Sequence, residues 1–83
     1  MDEKTVRETI RHYITHELFY DKGYDLLDDE PMITENLMDS FALAELAVYV
    51  EQEFDVYIPD PDLTVEKMNT LNLIIARVMR DLE

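Results

Sequence analysis

Only one glycine and three prolines interrupt the 83 residues of this chain. A backbone turns sharply where a residue tolerates a left-handed conformation or cannot continue a helix, so Gly23, Pro31, Pro59 and Pro61 are the expected break points. The stretches between them are long. They predict a few long helices joined by loops, because a strand array of this length needs turn signals about every 8–12 residues. Cysteine is absent, which removes disulfides and thiolate metal sites. A chain this short buries only about 60% of the surface of its unfolded form, so helix packing alone must hold it. One domain spanning 1–83 is expected.

Hydrophobic spacing locates the helices. From Glu3 to Tyr20, residues Val6, Ile10, Tyr13 and Ile14 recur at helical intervals, with Leu18 on one flank. Thr5-Val6-Arg7-Glu8 fits a capping box, and Asp21-Lys22-Gly23 supplies a stop with Gly23 at or just past the C-cap. Gly23 to Met38 has no sustained period and reads as a loop, with a short turn of helix over Ile33–Asn36 and anchors at Leu26, Leu27, Met32, Ile33 and Leu37. Ser40 to Phe54 is helical with two apolar stripes. Leu43, Leu46, Ala47, Val50 and Phe54 form a core face, while Phe41, Ala44 and Val48 fall nearly opposite, flanked by Glu45, Glu51 and Gln52. An apolar stripe rimmed by acids that must meet solvent is a candidate docking surface.

Pro59 and Pro61 force an extended path after Asp55, with Val56 and Ile58 as its anchors. A short third helix is expected over Leu63–Asn69 with Asp62 as N-cap. A last helix carries Leu71, Ile74, Ile75, Val78 and Leu82 on one face, with Thr70 as N-cap and Arg77 and Arg80 near its C-terminus, where the helix dipole favours cations. The fold class is all-α: three long helices, one short third helix and a long first loop.

Charge narrows the function. Twenty acids against seven bases give a net charge of −13, and Tyr24 to Glu66 holds thirteen acids with no lysine or arginine. That field repels nucleic-acid phosphates and anionic lipid, and steers basic protein partners toward the middle of the chain. No apolar run approaches a membrane span, and Met1-Asp2-Glu3-Lys4 lacks the order of a signal peptide, so a cytoplasmic protein without membrane insertion is expected. Acidic loops invite a calcium reading, but an EF-hand loop starting at Asp21 places Leu26 where glycine is required, and Pro61 breaks the Asp60–Asp62 run. His12 and His16 lie one turn apart with no third ligand implied, so no metal site is expected.

Ser40 is the only serine, and it stands where the second long helix begins. Its hydroxyl has two uses: a helix cap or a site of covalent chemistry. Nucleophilic catalysis requires a base and an orienter, and neither is implied near it. No enzyme is expected. A phosphate ester on Ser40 suits a helix N-terminus, where unpaired N–H groups and the dipole favour negative charge.

Leu37-Met38-Asp39-Ser40-Phe41 resembles the Asp-Ser-Leu motif of acyl carrier proteins and of the related peptidyl and aminoacyl carriers. Glu45-Leu46, Glu51-Gln52-Glu53-Phe54, Ile58-Pro59-Asp60 and Glu66-Lys67-Met68-Asn69-Thr70-Leu71 look like the pieces that follow it there, in the same order. The resemblance implies a four-helix carrier bundle in which Ser40 receives 4′-phosphopantetheine from coenzyme A through a separate phosphopantetheinyl transferase. An acyl or aminoacyl group then rides as a thioester on that arm, loaded by a ligase and used by synthases of fatty acid, polyketide or specialised biosynthesis. Their basic patches would dock on Asp39, Phe41, Ala44, Glu45, Val48 and Glu51 of a monomeric carrier. Phe41 stands where leucine is usual, Ala42 replaces a commonly polar residue, the glycine often found before Asp-Ser is missing, and about two residues, Pro61 included, are added before Glu66. The Leu37–Ser40 pattern is nearer to stand-alone aminoacyl and specialised carriers, whereas the acidity is nearer to the fatty-acid type. The alternative is an acidic helical interaction module without a prosthetic group, Ser40 serving as a cap.

Overall fold

In the computed structural model, which describes residues 1–82, the order of elements is α1 (Glu3–Tyr13), a π-helical turn (Ile14–Leu18), α2 (Ser40–Phe54), a 3-10 turn (Asp60–Asp62), α3 (Val65–Met68) and α4 (Leu71–Asp81). The described residues hold no strand. The all-helical bundle expected from the break points is what forms, and its ends differ in detail.

Asp2, not Thr5, caps α1: its carboxylate accepts from the Thr5 N–H at 2.8 Å. Its aspartate therefore stands outside the helix, three residues before the N–H it serves. Val6, Ile10 and Ile14 are fully buried. Past Tyr13 the helix widens by one residue per turn, with Phe19 N–H bonded to Ile14 C=O at 2.8 Å. Asp21 N–H then reaches back to Thr15 C=O at 2.8 Å, and the left-handed residue that closes the helix is Tyr20, at φ 54°, not Gly23. The widened turn brings the chain to its reversal before the glycine is reached.

The loop that follows is fastened from outside. Asn69 holds it twice: its C=O accepts from Met32 N–H at 2.7 Å, and its side-chain oxygen accepts from Ile33 and Thr34 N–H at 2.8 and 3.1 Å. Arg11 donates to Leu26 C=O, and Asn72 N–H donates to Asp28 C=O at 2.9 Å. Leu26 and Met32 are buried anchors, with Ile33 and Leu37 partly so. Leu27 is not an anchor, since more than half of it is exposed. Ile33–Asn36 is a turn rather than a helical piece, ending at Asn36 with φ 63°. Polar bonds to Asn69 thus fix the segment that delivers the chain to α2.

The core face of α2 is the expected one: Leu43, Leu46, Val50 and Phe54 are buried with Leu71, Ile74, Ile75 and Val78 of α4. Burying a side chain of this kind stabilises the fold by about 1.5–3 kcal/mol. Asp55, at φ 58°, ends α2, after which Val56 and Ile58 turn inward and Tyr57 outward. Asp62 does not cap α3. Thr64 does, accepting from Lys67 N–H at 3.3 Å, and α3 is correspondingly shorter than expected. Asp62 instead bonds Lys67 Nζ at 2.6 Å and Arg77 Nε at 2.9 Å. Arg77, expected near the C-terminus of α4 for its charge, is buried, with Asp81 at 2.9 Å on its other side. It ties α4 to the segment before α3.

Candidate functional site

The N-terminus of α2 is built by Asp39. Its backbone is extended, its carboxylate accepts from Ala42 N–H at 2.9 Å, and its C=O takes the Leu43 N–H at 3.0 Å. Ser40 is the first helical residue, exposed, and its hydroxyl makes no hydrogen bond among the described residues. Capping is therefore done by the residue before it.

The six candidate docking residues do not form one patch. Phe41, Ala44, Glu45 and Val48 line an open groove of about 370 Å³ together with Gln52, Tyr49 and, from α1, Tyr13. Glu51 lies on the other flank of α2, in a smaller groove of about 160 Å³ shared with Ala47, Tyr57, Ile58, Asp60 and Leu63. Ala44 and Val48 border both grooves and form the ridge between them. Asp39 lines neither groove and serves as the cap. Phe41 is 78% exposed, so it faces outward rather than into the core.

Two residues that the sequence reading did not place here are Tyr13 and Tyr49. Their rings stack at 3.9 Å and 9° across the junction of α1 and α2. Tyr13 looked like a member of the core stripe, whereas it is only partly buried. Tyr49 carries a helical signal that could have found it, being four residues from Glu45 and eight from Phe41. Burial first, then Glu45 and Glu17, raise the Tyr13 phenol above its ordinary pKa, and burial followed by Glu53 does the same at Tyr49. Both rings stay neutral at physiological pH.

The imidazoles of His12 and His16 stack on each other at 3.8 Å on α1 and its π-helical turn, and the hollows they line do not include Ser40. Among the described residues no three His, Asp or Glu side chains gather as metal ligands. No helix among them is long and apolar enough to cross a membrane.

No family model matches the chain. Individual relatives do. It is 32% identical over 74 residues to the D-alanyl carrier protein of Streptococcus suis strain 98HAH33, covering 89% of this chain and 91% of the relative. The D-alanyl carrier protein of Lactobacillus acidophilus is 34% identical over 58 residues, covering 68% of this chain and 73% of that protein. The chain belongs to the carrier-protein family. A carrier protein holds a group for other enzymes to work on and is not itself an enzyme. The all-helical bundle is consistent with that family.

Proposed function

We propose that Ser40 is the attachment point of 4′-phosphopantetheine and that the chain, as a single monomeric domain in the cytoplasm, carries a small aminoacyl group, D-alanyl being the first candidate. The observation that carries this reading is the division of labour at the α2 N-terminus: Asp39 caps and Ser40 presents an unengaged hydroxyl. In the attachment step Ser40 Oγ forms the new phosphoester bond, the pyrophosphate bond of coenzyme A breaks, 3′,5′-adenosine bisphosphate leaves, and the hydroxyl proton passes to a base on a phosphopantetheinyl transferase. The residues suit that group. The N–H groups of Ser40 and Phe41 have no partner among the described residues and stand at the positive end of the helix, where a phosphodiester is favoured. When attached, the arm supplies the terminal thiol on which the aminoacyl group is held.

The aminoacyl cargo is supported by the names of the relatives and by the Leu37–Ser40 pattern. The acidity that suggested a fatty-acid carrier suits basic partners of either kind. Phe41, Ala44, Glu45, Val48 and Glu51 present the outward face of α2 to a transferase and a loading ligase, with Asp39 at its end.

Intact mass after incubation with coenzyme A, Mg²⁺ and a broad-specificity transferase tests the reading. One phosphopantetheine is expected on the wild-type chain and none on Ser40→Ala. A D-alanine-activating ligase with ATP then adds one alanyl group that hydroxylamine removes. An unmodified wild-type chain, or a gain that survives Ser40→Ala, returns the protein to the acidic interaction module.

A further inference from the structure

The groove beside α2 has chemistry beyond an acidic helix face. Its floor joins two helices, because Tyr13 of α1 stacks on Tyr49 of α2. Along α2 it runs from Phe41 to Gln52, about 16 Å at 1.5 Å per residue, with Phe41 and Val48 exposed as apolar contacts. Glu45 lies in it, and no lysine, arginine or histidine lines it. Glu45 forms no ion pair among the described residues, and Glu17 and Glu53 add negative potential at the two rings. Two neutral, electron-rich rings beside an uncommitted carboxylate form a receptor for a planar cation. A guanidinium stacks on a phenol face and donates to a carboxylate at the same time, which a lysine ammonium does less well.

We propose that the partner-binding surface of this carrier crosses from α2 onto α1, and that the Tyr13–Tyr49–Glu45 corner takes an arginine of a partner protein whose neighbouring apolar side chains lie on Phe41 and Val48. The proposal rests on the carrier reading for the existence of a partner, and names the chemistry and place of the contact. It moves the cation contact to the Tyr13 side of the Ala44–Val48 ridge, away from Glu51. Tyrosine and arginine are also among the residue types enriched where an interface concentrates its binding energy.

The test is a two-dimensional NMR titration of the full chain with acetyl-Leu-Arg-Leu amide, and with the peptide in which citrulline, neutral and nearly the same shape, replaces arginine. The arginine peptide is expected to shift the signals of Tyr13, Glu45, Val48, Tyr49 and Gln52, and the citrulline peptide to lose most of that response. Glu45→Gln, at an exposed position, should weaken the arginine peptide several-fold. Tyr49→Leu should do so too, with circular dichroism checking that the variant stays helical. An equal response to both peptides overturns the inference, as do arginine-dependent shifts that follow the Glu51 and Asp60 side or the loop acids instead. Arm attachment at Ser40, read separately by mass, keeps the two readings apart: attachment without the arginine-specific shift removes this inference alone, whereas failure of attachment with that shift intact removes the carrier reading and leaves only an arginine site without a carrier's partner.

Discussion

At the scale of single residues, the N-terminus of α2 gives the capping role to Asp39 rather than to Ser40. Ser40 contributes no capping bond, so Ser40→Ala should change folding stability by no more than about 0.5 kcal/mol, as for an ordinary surface substitution. Asp39→Ala leaves the Ala42 N–H without its acceptor and should cost about 1 kcal/mol. Urea unfolding of the two variants checks the pair; a larger loss at Ser40 than at Asp39 would mean that the serine is the cap after all. The three residues misassigned as caps or stops show why this detail was hard to read. Thr5, Asp62 and Gly23 all have suitable chemistry, yet Asp2, Thr64 and Tyr20 take the roles. A cap acts where the backbone turns extended, and that point is set by how the helix seats in the core. Several suitable side chains stood within reach, and tertiary packing chose among them. Thr70 was legible because it stands alone, directly before a clean apolar stripe.

At the scale of elements, α2 is two helices in one. Leu46 is fully buried and Val48, two residues on, is 54% exposed. Leu46→Ala should cost about 2–5 kcal/mol, whereas Val48→Ala should stay within about 0.5 kcal/mol and still weaken partner binding. Equal stability losses would mean that the outer stripe is packed. The spacing of apolar residues revealed both stripes, since a period of 3.6 is visible in one sequence. It could not reveal that α1 supplies a tyrosine to the outer groove, which depends on how two helices meet. The burial of Arg77 was hidden for the same reason: its place on α4 suggests only a favourable charge near the helix end, and only the fold brings Asp62 beside it. That contact sets an acid limit. Lys67 and Arg77 hold the Asp62 carboxyl below the usual carboxylate range. A depressed folded-state pKa means that the unfolded chain binds the proton first. The stabilisation is thus complete above the unfolded value, about 3.9, and is lost as pH falls through the folded one. Asp62→Asn should flatten the dependence of stability on pH below about 4 and leave its slope near neutrality unchanged. Unfolding midpoints measured across that window decide it; an unaltered acid slope would show that Asp62 does not couple α3 to α4.

For the whole molecule, the excess of acid acts on folding and on binding with opposite consequences. Among the described residues five of the seven lysines and arginines stand in ion pairs, and they engage only five of the twenty acids. The unpaired carboxylates repel one another across a molecule measuring 30 × 26 × 20 Å, so the net charge of −13 opposes compactness. Under the proposed function the same charge attracts basic partners to α2, whose Glu45, Glu51 and Glu53 have no ion-pair partner among the described residues. Salt screens both effects, the Debye length falling from about 10 Å at 0.1 M to about 3 Å at 1 M. Added salt should therefore raise the thermal midpoint of the chain while lowering the kcat/KM with which a transferase or ligase uses it. A neutral osmolyte, which stabilises without screening, should raise the midpoint and leave that rate constant unaffected by charge. Glu45→Lys with Glu51→Lys should reproduce the loss of kcat/KM at low salt, reduce its dependence on salt, and preserve helicity, because both side chains are exposed. A rate that stays flat as salt is added, while the midpoint climbs, would place the acids in solubility alone and leave the apolar groove to select the partner.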